Sequence, residues 1–383
     1  MSRSAAISSA ELPTYTRWPL ELVRGRGSTV WDASGKSYLD LYGGHAVAAT
    51  GHCHPEIVRA LREQAGELLF YSNVVALSAR TRAAEAIAAR APAPLSKVFF
   101  VNSGTEANEN AMRLARRATG RTDILSFHGG FHGRTADAIS AAGLAKYREL
   151  SKPNVPGHRL VPFGDLAAVV AALDQRIAAV LIEPIQSLAG VVTAPASYFQ
   201  SLRRLCDERG AKLIYDEVQT GFGRTGTFFL AGRHGVVPDL VSLAKGIASG
   251  FPMGAVLVSD EIAAPVQPEE YGTTFGGGPL ACAAAEATVR VIEEEHLLEN
   301  VRAGSQRLKT GLSALAGVRE IRGEGFLLGV ALDRPGKPVR EALMARGFLV
   351  GGSDRPDVLR LLPPLVLTAE EIDRFLEAMG QVL

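Results

Sequence analysis

The chain of 383 residues is poor in cysteine, and its three cysteines, Cys53, Cys206 and Cys282, lie far apart and outside any Cys-x-x-Cys pair. This pattern argues against a disulfide framework and a structural zinc site. The chain also lacks net charge, because 41 Lys and Arg balance 40 Asp and Glu, so no overall field attracts nucleic acid or an anionic membrane. It lacks an uninterrupted apolar run of about 18 residues and an apolar signal segment. We therefore expect a cytoplasmic protein without a nucleic-acid or membrane partner.

The composition is otherwise that of a globular protein, with 47% hydrophobic and 21% charged residues. A chain of this length can bury a large core and is expected to form one large and one smaller domain. The neighbours His52, Cys53 and His54 resemble a metal cluster, but adjacent side chains diverge and Pro55 is typical of a helix start. No metal site is therefore predicted.

Short apolar runs alternate with helical stretches from about residue 97 to residue 260. The runs lie at 97–101, 124–127, 178–182, 212–215, 240–243 and 254–258. Continuous apolar runs are typical of strands buried on both faces, so they predict an α/β fold with a doubly wound, mostly parallel sheet. After residue 278 the sequence is rich in helix, with brief strands near 326–332 and 358–361. This change predicts a second, α+β, domain.

Two of these strands are followed by residues that can carry chemistry. Asp216 ends the run at 212–215, and Lys245 closely follows the run at 240–243. The carboxyl ends of parallel strands open onto one crevice, so both side chains are expected in one pocket. A desolvated lysine forms a Schiff base with a carbonyl, and a buried aspartate holds a pyridinium nitrogen protonated, which together indicate pyridoxal 5'-phosphate. An ordinary buried ion pair is the alternative that these two residues alone leave open.

A third strand runs through Asn102-Ser103-Gly104-Thr105 into a helix. Backbone N–H groups and hydroxyls at such a turn, together with the helix dipole, favour a phosphate, although a plain helix cap is the alternative. The segment 221–226 also fits the G-x-G-x-x-G pattern of dinucleotide sites. The aromatic, glycine-interrupted residues that follow it predict no helix there, so we do not predict a dinucleotide.

Two further segments carry candidate binding residues. The turn at 128–135 contains Phe131, which offers a ring face or simple core filling, and Arg134, which offers an anion clamp. Arg360 is a lone cation in an apolar run. Such an arginine usually has a carboxylate partner, which protein or substrate can supply.

Taken in order, these segments closely resemble the class III (ω-aminotransferase) group of fold-type I pyridoxal-phosphate enzymes, and most of all the acetylornithine and ornithine aminotransferases. The resemblance covers nearly the whole chain. It is carried by motifs at 31–40, 51–55, 102–108, 131–135, 183–186, 216–224, 244–246, 272–277 and 359–364.

The resemblance implies a fold-type I architecture. A large pyridoxal-phosphate-binding domain would span 51–265, and a smaller α+β domain would be built from 1–50 and 266–383. It also implies a homodimer with shared active sites, acting on small amino acids and 2-oxo acids.

The resemblance further implies roles for individual residues. Lys245 would form the Schiff base with the cofactor and move the proton during transfer, while Asp216 would pair with the pyridinium nitrogen. The implied cofactor contacts are Ser103, Gly104 and Thr105 for the phosphate, Phe131 and Val218 for the ring, Gln219 for the phenolic oxygen, His132, and Thr274 from the other subunit. The implied substrate residues are Arg360 for the α-carboxylate, Arg134 and Tyr15 in the distal pocket, and Glu183, His45 and Leu188.

Leu188 and His45 depart from the pattern of those relatives. Acetylornithine and ornithine enzymes have a glutamate close to the position of Leu188, and it pairs with the arginine when an ω-amino substrate is bound. Where they have Ile or Tyr, this chain has His45. The expected activity is transfer between an acetylornithine- or ornithine-like amino acid and 2-oxoglutarate. The alternatives are a class III enzyme for α- or β-amino acids, like alanine-glyoxylate aminotransferase, and an aminomutase.

Overall fold

The structure, a computed structural model, describes residues 10–383. The strands are β1 (Leu22–Arg26), β2 (Thr29–Asp32), β3 (Ser37–Asp40), β4 (Leu95–Val101), β5 (Asp123–Phe127), β6 (His158–Val161), β7 (Ile177–Ile182), β8 (Ile185–Gln186), β9 (Val192–Thr193), β10 (Lys212–Asp216), β11 (Leu240–Leu243), β12 (Gly254–Ser259), β13 (Val318–Glu324), β14 (Leu327–Leu332), β15 (Phe348–Leu349), β16 (Gly351–Gly352) and β17 (Val358–Leu361). The helices are α1 (Gly43–Ala46), α2 (Pro55–Glu67), α3 (Ser78–Ala88), α4 (Gly104–Thr119), α5 (Ala136–Ala141), α6 (Ala145–Leu150), α7 (Leu166–Ala172), α8 (Ala196–Arg209), α9 (Asp260–Ala263), α10 (Pro279–Glu294), α11 (Leu297–Ser313), α12 (Gly336–Ala345) and α13 (Ala369–Val382).

The central sheet has seven strands in the order β4-β12-β11-β10-β7-β5-β6. Strand β10 is parallel to β7 and β11, and β5 is parallel to β7 and β6, whereas β12 is antiparallel to both of its neighbours. The predicted mostly parallel sheet is confirmed. All six apolar runs form strands of this sheet, and β5, β7, β11 and β12 are buried along their whole length, as continuous apolar sequence requires.

Both faces of the central sheet are covered. Ile214 packs in a cluster with Ala111 and Met112 of α4, whereas its strand neighbour Leu213 packs with Phe199 of α8 in a second cluster. Successive side chains of a strand point to opposite faces, so the two clusters lie on opposite sides of the sheet. This arrangement of helices is the doubly wound one.

Strand β6 at the sheet edge was not predicted. It contains His158 and Arg159, and most of its residues are only partly buried. An edge strand exposed on one side does not show the continuous apolar run of a central strand, so this signal could not find it.

Two four-stranded sheets accompany the central one, with the orders β1-β2-β3-β15 and β13-β14-β17-β16, and β8 pairs with β9 in a two-stranded sheet. The parallel pairing of Phe348 with Leu39 joins segments from both ends of the chain in one sheet. The predicted strands near 326–332 and 358–361 correspond to β14 and β17. The domain boundaries at residues 50 and 266 stay a prediction.

The two segments that resembled a dinucleotide site and a metal cluster form neither in the structure. The segment 221–226 forms turns and no helix begins there, as predicted. His54 caps the N-terminus of α2 and contacts Glu295, whereas His52 contacts Asp40, so the two side chains diverge. Within residues 10–383, no cluster of three or more His, Cys, Asp or Glu side chains could hold a metal ion. In the same range, no helix has both the length and the apolar character needed to cross a bilayer.

Candidate active site

The carboxyl ends of β4, β7, β10 and β11 surround a cavity of about 500 Å³. The predicted site residues that line it are Tyr15, His45, Ser103, Gly104, Thr105, Phe131, His132, Arg134, Glu183, Leu188, Asp216, Val218, Gln219, Lys245 and Arg360. Thr274 does not line it and is exposed. The structure therefore gathers residues from distant parts of the sequence at one edge of the sheet, where open α/β sheets bind ligands.

Asp216 at the end of β10 is held on both carboxylate oxygens. Its Oδ2 accepts hydrogen bonds from Asn108 Nδ2 at 2.7 Å and from His132 Nδ1 at 2.8 Å. Its Oδ1 accepts a 3.1 Å hydrogen bond from the backbone N–H of Val218. Because a carboxylate oxygen accepts, the proton of His132 lies on Nδ1. The carboxylate is thus fixed in orientation and only 4% exposed.

Lys245 begins the 3₁₀ turn Lys245–Ala248, directly after the buried strand β11. Its φ of +48° is in the left-handed region, which costs energy for a residue other than glycine and is typical of functional sites. Within residues 10–383, its amine makes no hydrogen bond or ion pair. Burial lowers the pKa of this amine, and the charges of Asp216 and Glu183 only partly oppose that effect. A larger neutral fraction makes the amine a better nucleophile and base.

The N-terminus of α4 faces the same cavity. Ser103 caps the helix and accepts a hydrogen bond from the N–H of Glu106, while the N–H groups of Gly104 and Thr105 belong to the first turn, which has no acceptors of its own. A Cβ on Gly104 would lie 2.8 Å from Val218 Cγ1, so only glycine allows this close approach. Gly133 packs even more closely on Thr105, because a Cβ there would lie 2.1 Å from Thr105 Oγ1. Free N–H groups and the helix dipole favour a phosphate here.

The lining therefore matches the chemical parts of pyridoxal 5'-phosphate. It offers a reactive amine on Lys245, a fixed carboxylate on Asp216 and an anion-binding helix start at Ser103. Phe131 and Val218 add apolar surface. The residues present fit this cofactor, and one cavity contains all of them.

Arg360 on β17 is a buried cation, only 3% exposed. Its Nε donates a 2.6 Å hydrogen bond to the carbonyl oxygen of Gly352, and its Nη1 donates a 3.1 Å hydrogen bond to Ser187 Oγ. Within residues 10–383, no carboxylate forms an ion pair with it, so the protein does not supply the partner that such an arginine usually has. Burial lowers its pKa.

Comparison with known proteins agrees with this geometry. The family described as aminotransferase class-III matches residues 12–383. The acetylornithine aminotransferase of Methanopyrus kandleri is 44% identical over 385 residues, covering 100% of this chain and 99% of that protein. The chain belongs to the class III aminotransferases.

Solved structures of this family have the same fold. The ornithine aminotransferase from Toxoplasma gondii ME49 gives a TM-score of 0.91 at 29% identity, over 96% of this chain and 91% of that chain. An (S)-enantioselective omega-transaminase from Thermomicrobium roseum gives 0.89 at 34% identity, over 95% and 92%. The predicted fold type I is therefore confirmed, and this class III aminotransferase is a transaminase that depends on pyridoxal 5'-phosphate.

The outer part of this aminotransferase's cavity is aromatic and cationic. The guanidinium of Arg134 lies 5.1 Å from the ring centroid of Tyr15 and 4.9 Å from that of Tyr147. Gln219 Nε2 donates a 3.1 Å hydrogen bond to the carbonyl oxygen of His45. These contacts connect Gln219 with His45 and hold Arg134 between two aromatic rings of the cavity lining.

Glu183 lies deeper in the aminotransferase cavity, directly after β7. Its Oε1 accepts a 2.7 Å hydrogen bond from the backbone N–H of Phe131. Burial and, secondly, the charge of Asp216 raise its pKa to about 7. Through this hydrogen bond, Glu183 positions the turn that carries Phe131.

Three residues of this class III site were missed by sequence reasoning. Asn108 contacts Asp216, Ser187 contacts Arg360, and Tyr147 contacts Arg134. Asn108 and Ser187 lie in segments already singled out, four residues after Gly104 and one before Leu188. The helical spacing of four residues was the available signal for Asn108.

Proposed function

We propose that this class III aminotransferase moves an amino group between an acetylornithine- or ornithine-like amino acid and 2-oxoglutarate. The observation that carries the proposal is the buried guanidinium of Arg360, which faces the cavity of Lys245 without a carboxylate partner among residues 10–383. A substrate carboxylate provides the missing charge. Similarity adds support, because the related Methanopyrus kandleri protein is an acetylornithine aminotransferase.

The predicted residues have distinct parts in this proposal. Pyridoxal 5'-phosphate supplies an electron sink for the carbon that carries the amino group. Lys245 would hold the cofactor and then accept and return the substrate proton at Nζ, a role that its lowered pKa supports. Asp216 would hold the ring nitrogen, supported by the three hydrogen bonds that orient it. The N-terminus of α4 would hold the phosphate.

Two cations would place the substrate. Arg360 would bind the carboxylate next to the reacting carbon of glutamate or 2-oxoglutarate. Arg134, which lies against the rings of Tyr15 and Tyr147, would bind the distal carboxylate of either substrate. A donor such as N-acetylornithine reacts at its far amine, so its carboxylate would lie at Arg134.

A second candidate function is transamination of α- or β-amino acids. It is favoured by Leu188, which lines the cavity near Ser187 where an acidic partner of Arg360 is expected for ω-amino donors. Donors with a carboxylate beside the reacting amine would pair with Arg360 directly. This enzyme would then use substrates such as alanine.

Absorption spectroscopy of the loaded enzyme distinguishes the two functions. The cofactor band should change when N-acetylornithine or ornithine is added, and it should return when 2-oxoglutarate is added. A band that responds to alanine but not to N-acetylornithine would support the second function and contradict the first. Arg360→Gln should raise the KM for 2-oxoglutarate, whereas the exposed-site control Arg204→Gln should not.

We also propose that the enzyme is a cytoplasmic homodimer with shared active sites. Support comes from a surface strip of exposed apolar side chains, consisting of Leu68, Leu69, Phe70, Tyr71, Val74, Val75 and Phe275. The rings of Phe70 and Phe275 lie 5.1 Å apart, so the strip is continuous with the segment of Thr274. Exposed apolar surface of this kind usually marks an interface. In a dimer, Thr274 would reach the cofactor phosphate of the other subunit.

A further inference from the structure

Tyr42 is the third close neighbour of Arg360, beside Ser187 and Gly352. The guanidinium carbon of Arg360 lies 5.9 Å from the centroid of the Tyr42 ring. All three neighbours are uncharged. A donor that reacts at an amine without an adjacent carboxylate brings no counter-charge to Arg360, and an unpaired buried charge is strongly unfavourable. During that half of the reaction the arginine depends on its neutral neighbours.

The hydroxyl of Tyr42 is hydrogen-bonded to His45. Its Oη lies 2.5 Å from His45 Nδ1. Burial raises the pKa of Tyr42, against the opposing charge of Arg360, so the hydroxyl keeps its proton. Burial, followed by the charges of Arg360 and Lys245, lowers the pKa of His45 to about 4, so the imidazole is neutral at neutral pH. Tyr42 therefore donates to His45, and the lone pairs of its oxygen remain available to the guanidinium.

The backbone around His45 has an unusual conformation that places its side chain next to Tyr42. Residues 43–46 all have left-handed φ angles, between +57° and +68°, although His45 is not a glycine. Such strain persists only when surrounding contacts enforce it. One such contact is the hydrogen bond from Gln219 to the carbonyl oxygen of His45. A Cβ on Gly351 would lie 2.4 Å from Tyr42 Cε2, so glycine is needed where the ring packs.

We propose that Tyr42 and His45 together serve as the neutral partner of Arg360 whenever a substrate reacts at an amine that has no neighbouring carboxylate. The inference rests on the proposed function, because ω-amino donors create that situation. The pair offers the guanidinium a π face and an oxygen acceptor. It adds no negative charge, so a carboxylate that arrives beside the reacting carbon has no acidic side chain to displace. Tyr42 and His45 thus determine donor specificity and make or break no bonds.

This inference is tested by measuring the two half-reactions separately. Each is followed by the absorbance of the enzyme loaded with pyridoxal 5'-phosphate. For N-acetylornithine and putrescine, Tyr42→Phe and His45→Leu should each lower kcat/KM roughly tenfold. For glutamate, each should change it less than about threefold, because the substrate carboxylate pairs with Arg360. The double variant should be no worse than either single one, since the two residues act as a unit. His45→Asn, which tolerates a left-handed backbone and keeps an acceptor near the position of Nδ1, should retain most of the activity.

The matched control is Tyr38→Phe. Tyr38 lies four residues before Tyr42, and its hydroxyl contacts Asp32 outside the cavity, so both half-reactions should be unchanged. Equal losses in both half-reactions of the Tyr42 and His45 variants, or no loss in either, would overturn the inference and leave the proposed function intact. A parent enzyme that reacts with glutamate but not with N-acetylornithine would overturn the proposed function, and the inference with it. Circular dichroism checks folding, and His45→Leu carries the test if Tyr42→Phe is unstable.

Discussion

His132 Nδ1 lies 2.8 Å from Asp216 Oδ2, and the two side chains are only 1% and 4% exposed. The other ring nitrogen of His132 is buried and has no hydrogen-bond partner among the described residues. Asn108 reaches the same Oδ2 atom, so one carboxylate oxygen accepts two hydrogen bonds and the other accepts one from Val218. The protein therefore fills three acceptor positions of the Asp216 carboxylate, and Oδ1, which accepts only one of these hydrogen bonds, keeps a lone pair for a ring nitrogen.

Asp216→Asn should lower the rate of both half-reactions by roughly 100-fold or more, because the ring nitrogen loses its charged partner. The substitution keeps the volume, but both oxygens of Asp216 face donors, so the new amide NH₂ must face one of them. The surface variant Asp207→Asn is the control. Stopped-flow absorbance measures the rates, and normal half-reaction rates in Asp216→Asn would show that this carboxylate does not hold the cofactor.

Lys245→Ala should abolish turnover while the protein stays folded. Loss of a general acid and base alone typically costs about 10² to 10⁴ in rate, and loss of the covalent link to the cofactor adds to it. Alanine keeps a Cβ, so the backbone strain at a φ of +48° stays as it is and thermal stability should change little. Steady-state assays with a thermal melt check both statements. Residual activity within about tenfold of the parent is incompatible with the proposed role.

The reactivity of Lys245 should depend on pH in a direction set by its surroundings. Burial lowers its pKa from the ordinary 10.5, and the neutral amine is the reactive form, so capture of added cofactor by the apoenzyme should reach its plateau below pH 10.5. The rate should decline as the pH falls through the lowered pKa. Asp216→Asn removes a charge that raises the pKa of Lys245, so the midpoint should move to lower pH. A midpoint that moves upward in this variant would contradict the electrostatic account.

A shared active site makes a distinctive prediction for mixed subunits. If Thr274 serves the site of its partner, a hybrid of Lys245→Ala and Thr274→Ala subunits has one site with both defects and one site with neither. Activity after subunit exchange should then exceed the sum of the two separate variants. Sedimentation measures the size of the enzyme. An active monomer, or no gain on mixing, rules out sharing through Thr274.

Sequence patterns located the residues whose positions depend on local structure. Lys245 and Asp216 follow apolar runs, and because such runs form adjacent parallel strands, the two residues must meet at one edge of the sheet. Ser103 belongs to a strand-to-helix turn, which the sequence also shows. For these residues, chain order and strand burial are enough to predict the site.

Sequence patterns could not locate contacts that depend on the packing of distant elements. Tyr42 comes from the end of the first small sheet and Arg360 from the second, and no periodicity relates them. Likewise, sequence patterns did not show that the neutral hydroxyl of Ser187 hydrogen-bonds Arg360 Nη1. Residue type gives the chemistry that is available, whereas the distances between side chains follow only from the folded chain.

Leu188 lies where the resemblance to acetylornithine and ornithine aminotransferases implies a glutamate. Its side chain lines the cavity of Arg360, and its backbone oxygen accepts a 2.8 Å hydrogen bond from the N–H of Asp354, which fixes the loop. An unpaired buried charge costs roughly 3 to 5 kcal/mol, and a neutral partner such as Tyr42 offsets only part of it. The parent enzyme should therefore discriminate against putrescine more strongly than relatives with an acidic residue at this place.

Leu188→Glu should relax that preference, because the new carboxylate can pair with Arg360 when the donor brings none. We expect kcat/KM for putrescine and N-acetylornithine to rise roughly tenfold and the KM for glutamate to rise as well, since the substrate must then displace an acidic side chain. Leu188→Gln, of similar size but uncharged, is the control and should do neither. Leu188→Glu should also rescue Tyr42→Phe in the ω-amino half-reaction. Two outcomes would contradict this account. One is an unmodified enzyme that already prefers putrescine to every α-amino acid, and the other is the absence of rescue when Leu188→Glu is combined with Tyr42→Phe. Either would show that a group other than Tyr42, His45 or Ser187 compensates the charge of Arg360.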